Sequence, residues 1–208
     1  MAHPLADVLR DAARGVFPPV DGRVTVLPDL PGGRRAVVSF TGHSVIAADV
    51  DAAELIGLGA DGWGGANHPR VLLRLAEPDG TVGTTDALLT ARATGDGDPL
   101  PERADLADHP RVRHARRARD AVRVHADDTG LVTVGSGLGG VVELGIELFA
   151  PGAIPGTGRA LIRRALATIP SGTPVFAGVT GGNARSLRSF LSAGFVPIGS
   201  VTLVLPRG

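Results

Sequence analysis

One segment of the chain separates two regular patterns and so fixes the local order of the fold. Residues 141–148 alternate Glu or Gly with Val, Leu and Ile, which is typical of a half-buried β-strand. Residues 151–158 are rich in Gly and Pro and cannot continue that strand. From Arg159 onward, apolar residues follow at the spacing of a helical stripe, which Pro170 ends. The sequence therefore predicts a strand, a turn and a helix in direct succession.

The turn between this strand and this helix is a candidate anion site. The first N–H groups of a helix have no partner within the helix, and the helix dipole adds a positive potential at the same end. Gly156 and Gly158 have no side chain that would keep a phosphate away from the backbone. We therefore predict that residues 156–159 bind a phosphate group.

A second strand and a second helix follow at a regular spacing. The strand is predicted at residues 175–179, and the helix begins at Asn183 and ends before Gly194 and Phe195. The two strand–helix units, in this order, resemble the second half of the GNAT acetyltransferase superfamily over about residues 120–205.

The glycines of the turn match the phosphate-binding motif of that superfamily, which reads Arg/Gln-x-x-Gly-x-Gly/Ala. Gly156 and Gly158 occupy its two glycine positions, whereas Ala153 stands where Arg or Gln is usual. The resemblance implies that the backbone N–H near Leu148 polarises the thioester carbonyl. The cofactor-binding residues that it implies lie at the end of the strand, in the turn and at the start of the second helix: Leu148, Ala153, Gly156, Thr157, Gly158, Arg159, Asn183 and Ser186. Arg185 and Arg188 are expected to contribute little individually, as is Arg159.

The same resemblance implies the fold and the reaction. The fold would be α/β, with a mixed twisted sheet of acyl-CoA N-acyltransferase (GNAT) type and an N-terminal extension. The function would be an acetyl-CoA-dependent N-acetyltransferase that transfers the acetyl group directly to a small amine or a protein amino group. Acetyl-CoA would be the cosubstrate and an amine the acceptor, and nothing in residues 1–100 identifies that acceptor.

Two glutamates are the candidate catalytic residues. Acetylation of an amine needs a base that removes the ammonium proton. Glu143 and Glu147 lie on the strand before the turn, where enzymes of the superfamily often place a base. Strand alternation puts both on one face, and Gly145 between them leaves room for a substrate. The same pattern is also typical of two solvent-facing residues on a half-exposed strand.

The general acid of the superfamily is missing at its usual position. That acid is a Tyr seven residues after the Asn; here the position holds Phe190, and the chain contains no Tyr. A serine of the same helix or water replaces it, or the acid is dispensable. The alternative function is a catalytically weak acyl-CoA-binding or regulatory module of the same fold. A third is a binder of acidic partners with a vestigial cofactor fold.

The first hundred residues predict a series of short elements around hairpin and capping signals. They are a helix at 4–15, strands at 24–27, 35–40 and 44–48, helices at 51–58 and 70–76, and a strand at 82–90. The Gly- and Pro-rich residues 95–101 form the best candidate linker. We therefore predict two regions: an N-terminal α/β region on the substrate side, 1–100, and a GNAT-like acetyl-CoA-binding region, 101–208.

Charge is distributed unevenly about that candidate linker. Residues 1–100 have 8 Arg against 13 acidic residues, a net of −5, and residues 101–208 have 13 Arg against 8, a net of +5. Residues 111–123 alone contain six Arg and one acid, Asp120. This density favours a solvated helix face, with a surface for acidic substrates, cofactor phosphates or nucleic acid as the alternative. No aromatic residues lie between these arginines, so we do not expect stacking on single-stranded RNA, and nucleic acid is not the favoured partner.

Residues 135–140 fit the dinucleotide fingerprint G-x-G-x-x-G without its context. That fingerprint must open a helix, but the strand at 141–148 follows directly. We interpret these glycines as a turn between strands, after a hairpin formed by residues 121–125 and 131–134.

The composition does not favour several classes of protein and of functional site. With no Cys, the chain has neither disulfides nor a thiol nucleophile. No apolar run approaches the roughly 18 residues of a membrane span, and no signal peptide pattern begins the chain, so we expect a cytoplasmic protein without membrane contact. The six His show no ligand spacing, so we predict no metal site. A homodimer is left open.

Overall fold

The computed structural model describes residues 3–150 and 154–207, which form six α-helices and nine β-strands. The elements, in chain order, are α1 (Pro4–Ala12), β1 (Val24–Leu27), β2 (Arg35–Phe40), β3 (His43–Ala47), α2 (Ala52–Gly57), α3 (Pro69–Ala76), β4 (Thr81–Arg92), α4 (Pro110–Ala118), β5 (Asp120–Ala126), β6 (Gly130–Ser136), β7 (Val142–Leu148), α5 (Thr157–Ala167), β8 (Pro174–Thr180), α6 (Ala184–Ser192) and β9 (Val196–Leu205). The predicted α/β class with a mixed sheet is confirmed.

The chain forms two compact units, Met1–Leu88 with Ile198–Gly208, and Leu89–Pro197. The boundaries of these units lie after Leu88 and after Pro197, not at residue 100. The functional regions 1–100 and 101–208 therefore stay a prediction. Residues 95–101, the candidate linker, pack within the second unit. The Gly95 N–H donates to the Leu166 carbonyl, and Leu100 is buried.

The first unit is built on strands in the order β1-β3-β2-β9-β4. β1 and β3 are parallel, whereas β2 pairs antiparallel with both β3 and β9, so the predicted hairpin at residues 35–48 is confirmed. Apolar residues of β2, β3, α2 and α3 form one core, among them Val37, Ile46, Leu55, Val71 and Leu75. Burying such side chains stabilises a fold by about 1.5–3 kcal/mol each.

Three helices begin at a His-Pro pair. The ring nitrogens of His3, His68 and His109 accept a hydrogen bond from a backbone N–H of the first turn, at the starts of α1, α3 and α4. Pro at the next position has no N–H to satisfy and a φ angle suited to a helix. Half of the six histidines therefore have a capping role.

The second unit contains strands in the order β4-β8-β7-β6-β5, where β4 contributes its last residues. β6 pairs antiparallel with β5 and β7, and β7 is parallel to β8. α4 packs its Val112 in a cluster with Leu131, whereas α5 places Leu161 beside Gly130. Because neighbouring residues of a strand face opposite sides, these two helices cover opposite faces of β6.

The arginine-rich residues 111–123 do not form one helix. α4 ends at Ala118, and the following residues enter β5. Arg113, Arg116 and Arg117 are exposed on α4, as a solvated face requires, but Arg119 is only 8% exposed. The glycines at 135–140 form a turn between β6 and β7, as predicted.

Within residues 3–150 and 154–207, no helix is both long enough and apolar enough to span a membrane.

The turn between β5 and β6 is held by Asp127. Its Oδ1 accepts hydrogen bonds from the Thr129 N–H (2.7 Å), the Thr129 hydroxyl (2.6 Å) and the Gly130 N–H (3.2 Å), and its Oδ2 pairs with Arg164 of α5. Burial raises the pKa of Asp127, but these hydrogen bonds and the Arg164 charge together bring it below its usual value. The folded state therefore favours the ionised carboxylate.

We expect Asp127→Asn to lower the free energy of unfolding at pH 7 by about 1–3 kcal/mol, since hydrogen bonds to a charged group are lost. A pKa depressed by folding contributes stability above the unfolded pKa, and this contribution is lost as pH falls through the folded pKa. The difference from the parent should therefore shrink below about pH 4. Urea denaturation at pH 7 and pH 3 checks this, with the exposed Asp128→Asn as control. A difference that is the same at both pH values would contradict it.

Candidate functional site

Two parallel strands of the second unit part from each other. β7 and β8 pair at Val142 with Val175 and at Glu143 with Phe176. Among the described residues their pairing ends there, although β7 continues to Leu148 and β8 to Thr180. The later residues of β7 therefore face an open edge on the β8 side.

The direction of the Leu148 N–H follows from the bonds that β7 makes on its other edge. The Phe149 N–H donates to the Thr129 carbonyl (3.1 Å), and the Val141 carbonyl accepts from the Gly137 N–H (2.8 Å). Both bonds run toward the β6 side. Because successive residues of a strand point their N–H groups to opposite edges, the Leu148 N–H points to the β8 side. A donor is thus available where the resemblance places the thioester carbonyl.

α5, which follows β7, begins without a side-chain cap. Its N-cap is Gly156, at φ +89°, a left-handed conformation that glycine adopts at little cost. The first-turn N–H groups of an uncapped helix are available to an anion. Thr157 turns its hydroxyl to the Ile154 carbonyl (2.8 Å) and so supports the turn itself.

α6 differs in this respect. The Oδ1 of Asn183 accepts the Ser186 N–H at 3.0 Å, which caps the helix. Asn183 and Ser186 thus have a structural bond with each other, and their predicted part in cofactor binding stays a prediction. Ala153 lies outside the described residues.

A cavity of about 490 Å³ lies between the start of α5 and one face of α6. Its lining includes three arginines and no acidic residue: Pro155, Gly156, Arg159, Arg185, Arg188, Ser189 and Ser192. Within the described part of the chain, Arg159, Arg185 and Arg188 form no ion pair with an acid. The cavity therefore combines three uncompensated guanidinium groups with the positive end of a helix.

The two glycines of the motif have different roles. Gly156 is needed for its positive φ, but Gly158 is buried in α5 against α6. A Cβ on Gly158 would lie 2.8 Å from the Ser189 Oγ and 3.2 Å from its Cβ. The absence of a side chain at Gly158 therefore lets the two helices approach each other, and so brings Arg185 and Arg188 near Arg159.

Glu143 lies in a buried ion pair. Its Oε1 accepts a hydrogen bond from Nε of Arg119 (2.7 Å) and forms an ion pair with Nη2 of the same residue (2.6 Å). The Glu143 side chain is 14% exposed. Arg119 also donates to the Thr133 hydroxyl at 3.2 Å. This carboxylate is therefore already occupied by a cation.

The expected room for a substrate beside Gly145 is absent, and that expectation was wrong. A Cβ at Gly145 would lie 2.6 Å from Nη2 of Arg111 and 3.2 Å from Nη1 of Arg119. Two guanidinium groups from α4 and the residue after it fill the space. Sequence spacing could not show this, because α4 reaches β7 only in the folded chain.

Glu147 is the more accessible of the two candidate bases. It lies four residues after Glu143 on the same face of β7 and is exposed. Among the described residues its side chain makes no ion pair or hydrogen bond. Its carboxylate is therefore free to accept a proton.

Phe190 is part of the core. It is 2% exposed, and its ring meets that of Phe195 edge to face at a centroid distance of 5.0 Å. The position at which the superfamily usually has its acid thus stabilises α6 here. Of the three serines of α6, Ser189 and Ser192 line the cavity.

Arg185 and Arg188 were missing from the predicted cofactor-binding residues. Their spacing of three residues puts them on one face of α6, which is a signal that the sequence contained. Arg119 had no such signal, since its partner Glu143 is 24 residues away. Among the described residues, no group of three or more His, Asp and Glu side chains could hold a metal ion.

Several solved structures are similar to this chain. A putative GNAT-family acetyltransferase from Novosphingobium aromaticivorans has 15% sequence identity and a TM-score of 0.41, over 63% of this chain and 69% of that one. A conserved protein of unknown function from Staphylococcus epidermidis has 14% identity and a TM-score of 0.41, over 66% and 67%. A GCN5-related N-acetyltransferase from Kribbella flavida has 13% identity and a TM-score of 0.40, over 68% and 64%.

No protein-family model and no curated protein matches the sequence. At such low identity to the solved structures, the function has to be inferred from the geometry of the chain itself.

Proposed function

We propose that this chain binds acetyl-CoA and transfers the acetyl group to an amine. One observation is the main support. The uncapped start of α5 and three unpaired arginines, Arg159, Arg185 and Arg188, surround one cavity, directly after a strand whose pairing has ended. That combination suits a ligand that has several phosphates at one end and a reactive group at its other end. The reactive group would lie at the open edge of β7.

The residues present fit such a ligand. Coenzyme A carries a pyrophosphate and a ribose phosphate, and each arginine presents a planar set of donors that matches phosphate oxygens. The N–H groups in the first turn of α5 add donors that no side chain of the described residues caps. Because no acidic residue lines the cavity within the described part of the chain, no described carboxylate repels the phosphates there.

The reaction needs an oxyanion donor and a base. Acetyl-CoA supplies an acetyl thioester, whose carbonyl carbon an amine nitrogen can attack. The Leu148 N–H, which points to the open edge of β7, would stabilise the negative charge that develops on the carbonyl oxygen. Glu147 would remove the amine proton, directly or through a water molecule. Glu143 is less suited to this role, because Arg119 holds its carboxylate.

Ser189, Ser192 or water would protonate the departing thiolate, since Phe190 cannot. A thiol has a pKa of only about 8–9, so the thiolate can also leave without a proton.

A second candidate is an acyl-CoA-binding module with weak catalysis. The buried Phe190 and the ion-paired Glu143 favour this second candidate. Phe190 stands where the general acid is usual and cannot donate a proton, and the carboxylate of Glu143, a candidate base, is held by Arg119. The two candidate functions differ in one requirement: a transferase needs an amine acceptor, whereas a binding module does not.

The arginines give the first test. We expect the triple variant Arg159→Gln, Arg185→Gln and Arg188→Gln to bind acetyl-CoA about 10- to 100-fold more weakly, because three charge-assisted contacts are lost together. Each single variant should lose less than about fivefold, as for other exposed ion pairs. Isothermal titration calorimetry at low salt measures this.

Two controls accompany the titration. Arg163→Gln removes an exposed arginine of the same helix, away from the cavity, and should bind as the parent does. S-acetylpantetheine, which lacks the pyrophosphate, should not distinguish the triple variant from the parent. A triple variant with the parent's affinity for acetyl-CoA would contradict the assignment of the cavity.

The glutamates give the second test. With an amine that the parent acetylates, found in a panel of small amines and peptides, Glu147→Gln should lower kcat by about 100-fold or more. The affinity for acetyl-CoA should stay unchanged. Glu143→Gln should instead lower the free energy of unfolding by about 1–3 kcal/mol, because Arg119 loses its buried partner.

Full activity of Glu147→Gln would show that the base lies elsewhere. If the parent binds acetyl-CoA tightly but acetylates no amine of the panel, the binding module is the better account.

A further inference from the structure

A second cavity lies within the first unit, with a volume of about 570 Å³. Most of its lining is apolar and comes from α1, the segment after α1, β1 and β3, including Val8, Phe17 and Val45. Three polar side chains of the lining, Asp21, Thr25 and His43, are joined by hydrogen bonds.

The three side chains form a relay with His43 at its centre. The His43 Nδ1 lies 2.8 Å from Oδ1 of Asp21, and its Nε2 lies 2.9 Å from the Thr25 hydroxyl oxygen. The His43 side chain is only 7% exposed. Asp21 is fixed in turn, since its Oδ1 accepts the Arg23 N–H at 2.9 Å and its own N–H donates to the Gly42 carbonyl.

The chemistry of the two outer groups sets the tautomer of the ring. An ionised carboxylate can only accept, so in the neutral ring the proton lies on Nδ1 and Nε2 accepts from the Thr25 hydroxyl. The pKa of Asp21 is below its usual value, chiefly because of the hydrogen bond with His43, which agrees with an ionised Asp21. The hydroxyl proton of Thr25 therefore points at a base that is oriented by an acid.

Thr25 itself is accessible. It is exposed on β1, which lies at the end of the strand order, whereas His43 behind it is buried. A buried His needs one hydrogen-bond partner for each ring nitrogen, and a buried group could serve as that partner. Thr25 is instead exposed and lies beside a mostly apolar cavity. Val16 and Phe17 of the lining are 61% and 50% exposed, and Asp11 and Arg23 add two charged side chains to it.

We propose that Asp21, His43 and Thr25 form a nucleophilic site, at which Thr25 takes an acyl group from a small ester with an apolar acyl chain. The apolar lining would hold the chain, and the polar relay lies where the carbonyl would enter. This site is separate from the proposed acetyl-CoA cavity and does not depend on that assignment.

The reaction at this site has two stages, acyl transfer to Thr25 and hydrolysis of the acyl group. The Thr25 oxygen attacks the ester carbonyl carbon, and its proton passes to His43 Nε2. The bond between the carbonyl carbon and the leaving oxygen breaks, and His43 returns the proton to that oxygen. Water then attacks the acyl carbon and gives a proton to His43. The bond between the acyl carbon and the Thr25 oxygen breaks, and His43 returns the proton to that oxygen. The products are an alcohol and a carboxylic acid.

The test uses the full chain with p-nitrophenyl butyrate. We expect release of p-nitrophenol and, after acid quenching, a butyryl group on the peptide that contains Thr25, detected by mass spectrometry. Thr25→Val should abolish the labelled peptide and lower turnover by about 100-fold or more, and Asp21→Asn should lower turnover to a similar extent by misorienting the ring. Thr25→Ser keeps a hydroxyl and should retain labelling.

Thr84→Val is the matched control, since Thr84 is an exposed strand threonine that donates to an Asp without a histidine. Circular dichroism should show that each variant is folded. Absence of the acyl group from Thr25 in the parent would overturn the proposal. Equal turnover in Thr25→Val and Thr84→Val would overturn it as well.

Discussion

The proposed acetyl-CoA site depends on two parallel strands that pair at only two residue pairs. Had β7 and β8 stayed paired to their ends, the N–H of Leu148 would be satisfied by the neighbouring strand. Because they part, β7 keeps its bonds to the β6 side and offers backbone donors on the other edge. α5 follows β7 with Gly156 as its N-cap, so a second set of donors follows the first. A ligand that satisfies both sets would complete the hydrogen bonding of this region.

Arginine is used in two ways in the second unit. Arg119 is buried and paired with Glu143 and Thr133, which fixes the face of β7 toward α4. A buried ion pair gains little net stability, but losing one partner is costly because the other charge stays buried. Arg159, Arg185 and Arg188 are unpaired at a solvent-accessible cavity, so their charge is available to a ligand. This difference assigns a structural role to Glu143 and leaves Glu147 as the candidate base.

Local patterns predicted most of the elements, because strand alternation, helix periodicity and capping depend on residues a few positions apart. The strand, turn and helix around Gly156 and the hairpin around Asp127 are examples. Long-range contacts could not be predicted in the same way. Arg119 and Glu143 lie 24 residues apart, and Phe190 gave no sign that it packs on Phe195.

His43 shows the same limit for the candidate nucleophilic site. In the sequence it ends the turn Thr41-Gly42-His43, whereas in the fold it is the first residue of β3 and reaches both Asp21 and Thr25. The parallel pairing of β1 with β3, which brings the three together, is set by tertiary structure. The sequence indicated this site only by two polar residues: Asp21 before the short apolar strand β1, and Thr25 within it.

The most direct measurement of the central claim is a crystal structure of the full chain with coenzyme A. The account predicts that the pyrophosphate oxygens lie within hydrogen-bonding distance of the first-turn N–H groups of α5 and of at least one guanidinium of Arg159, Arg185 or Arg188. The pantetheine arm should run toward the open edge of β7 at Leu148. Coenzyme A bound elsewhere on the chain, with the start of α5 free of phosphate, would contradict it.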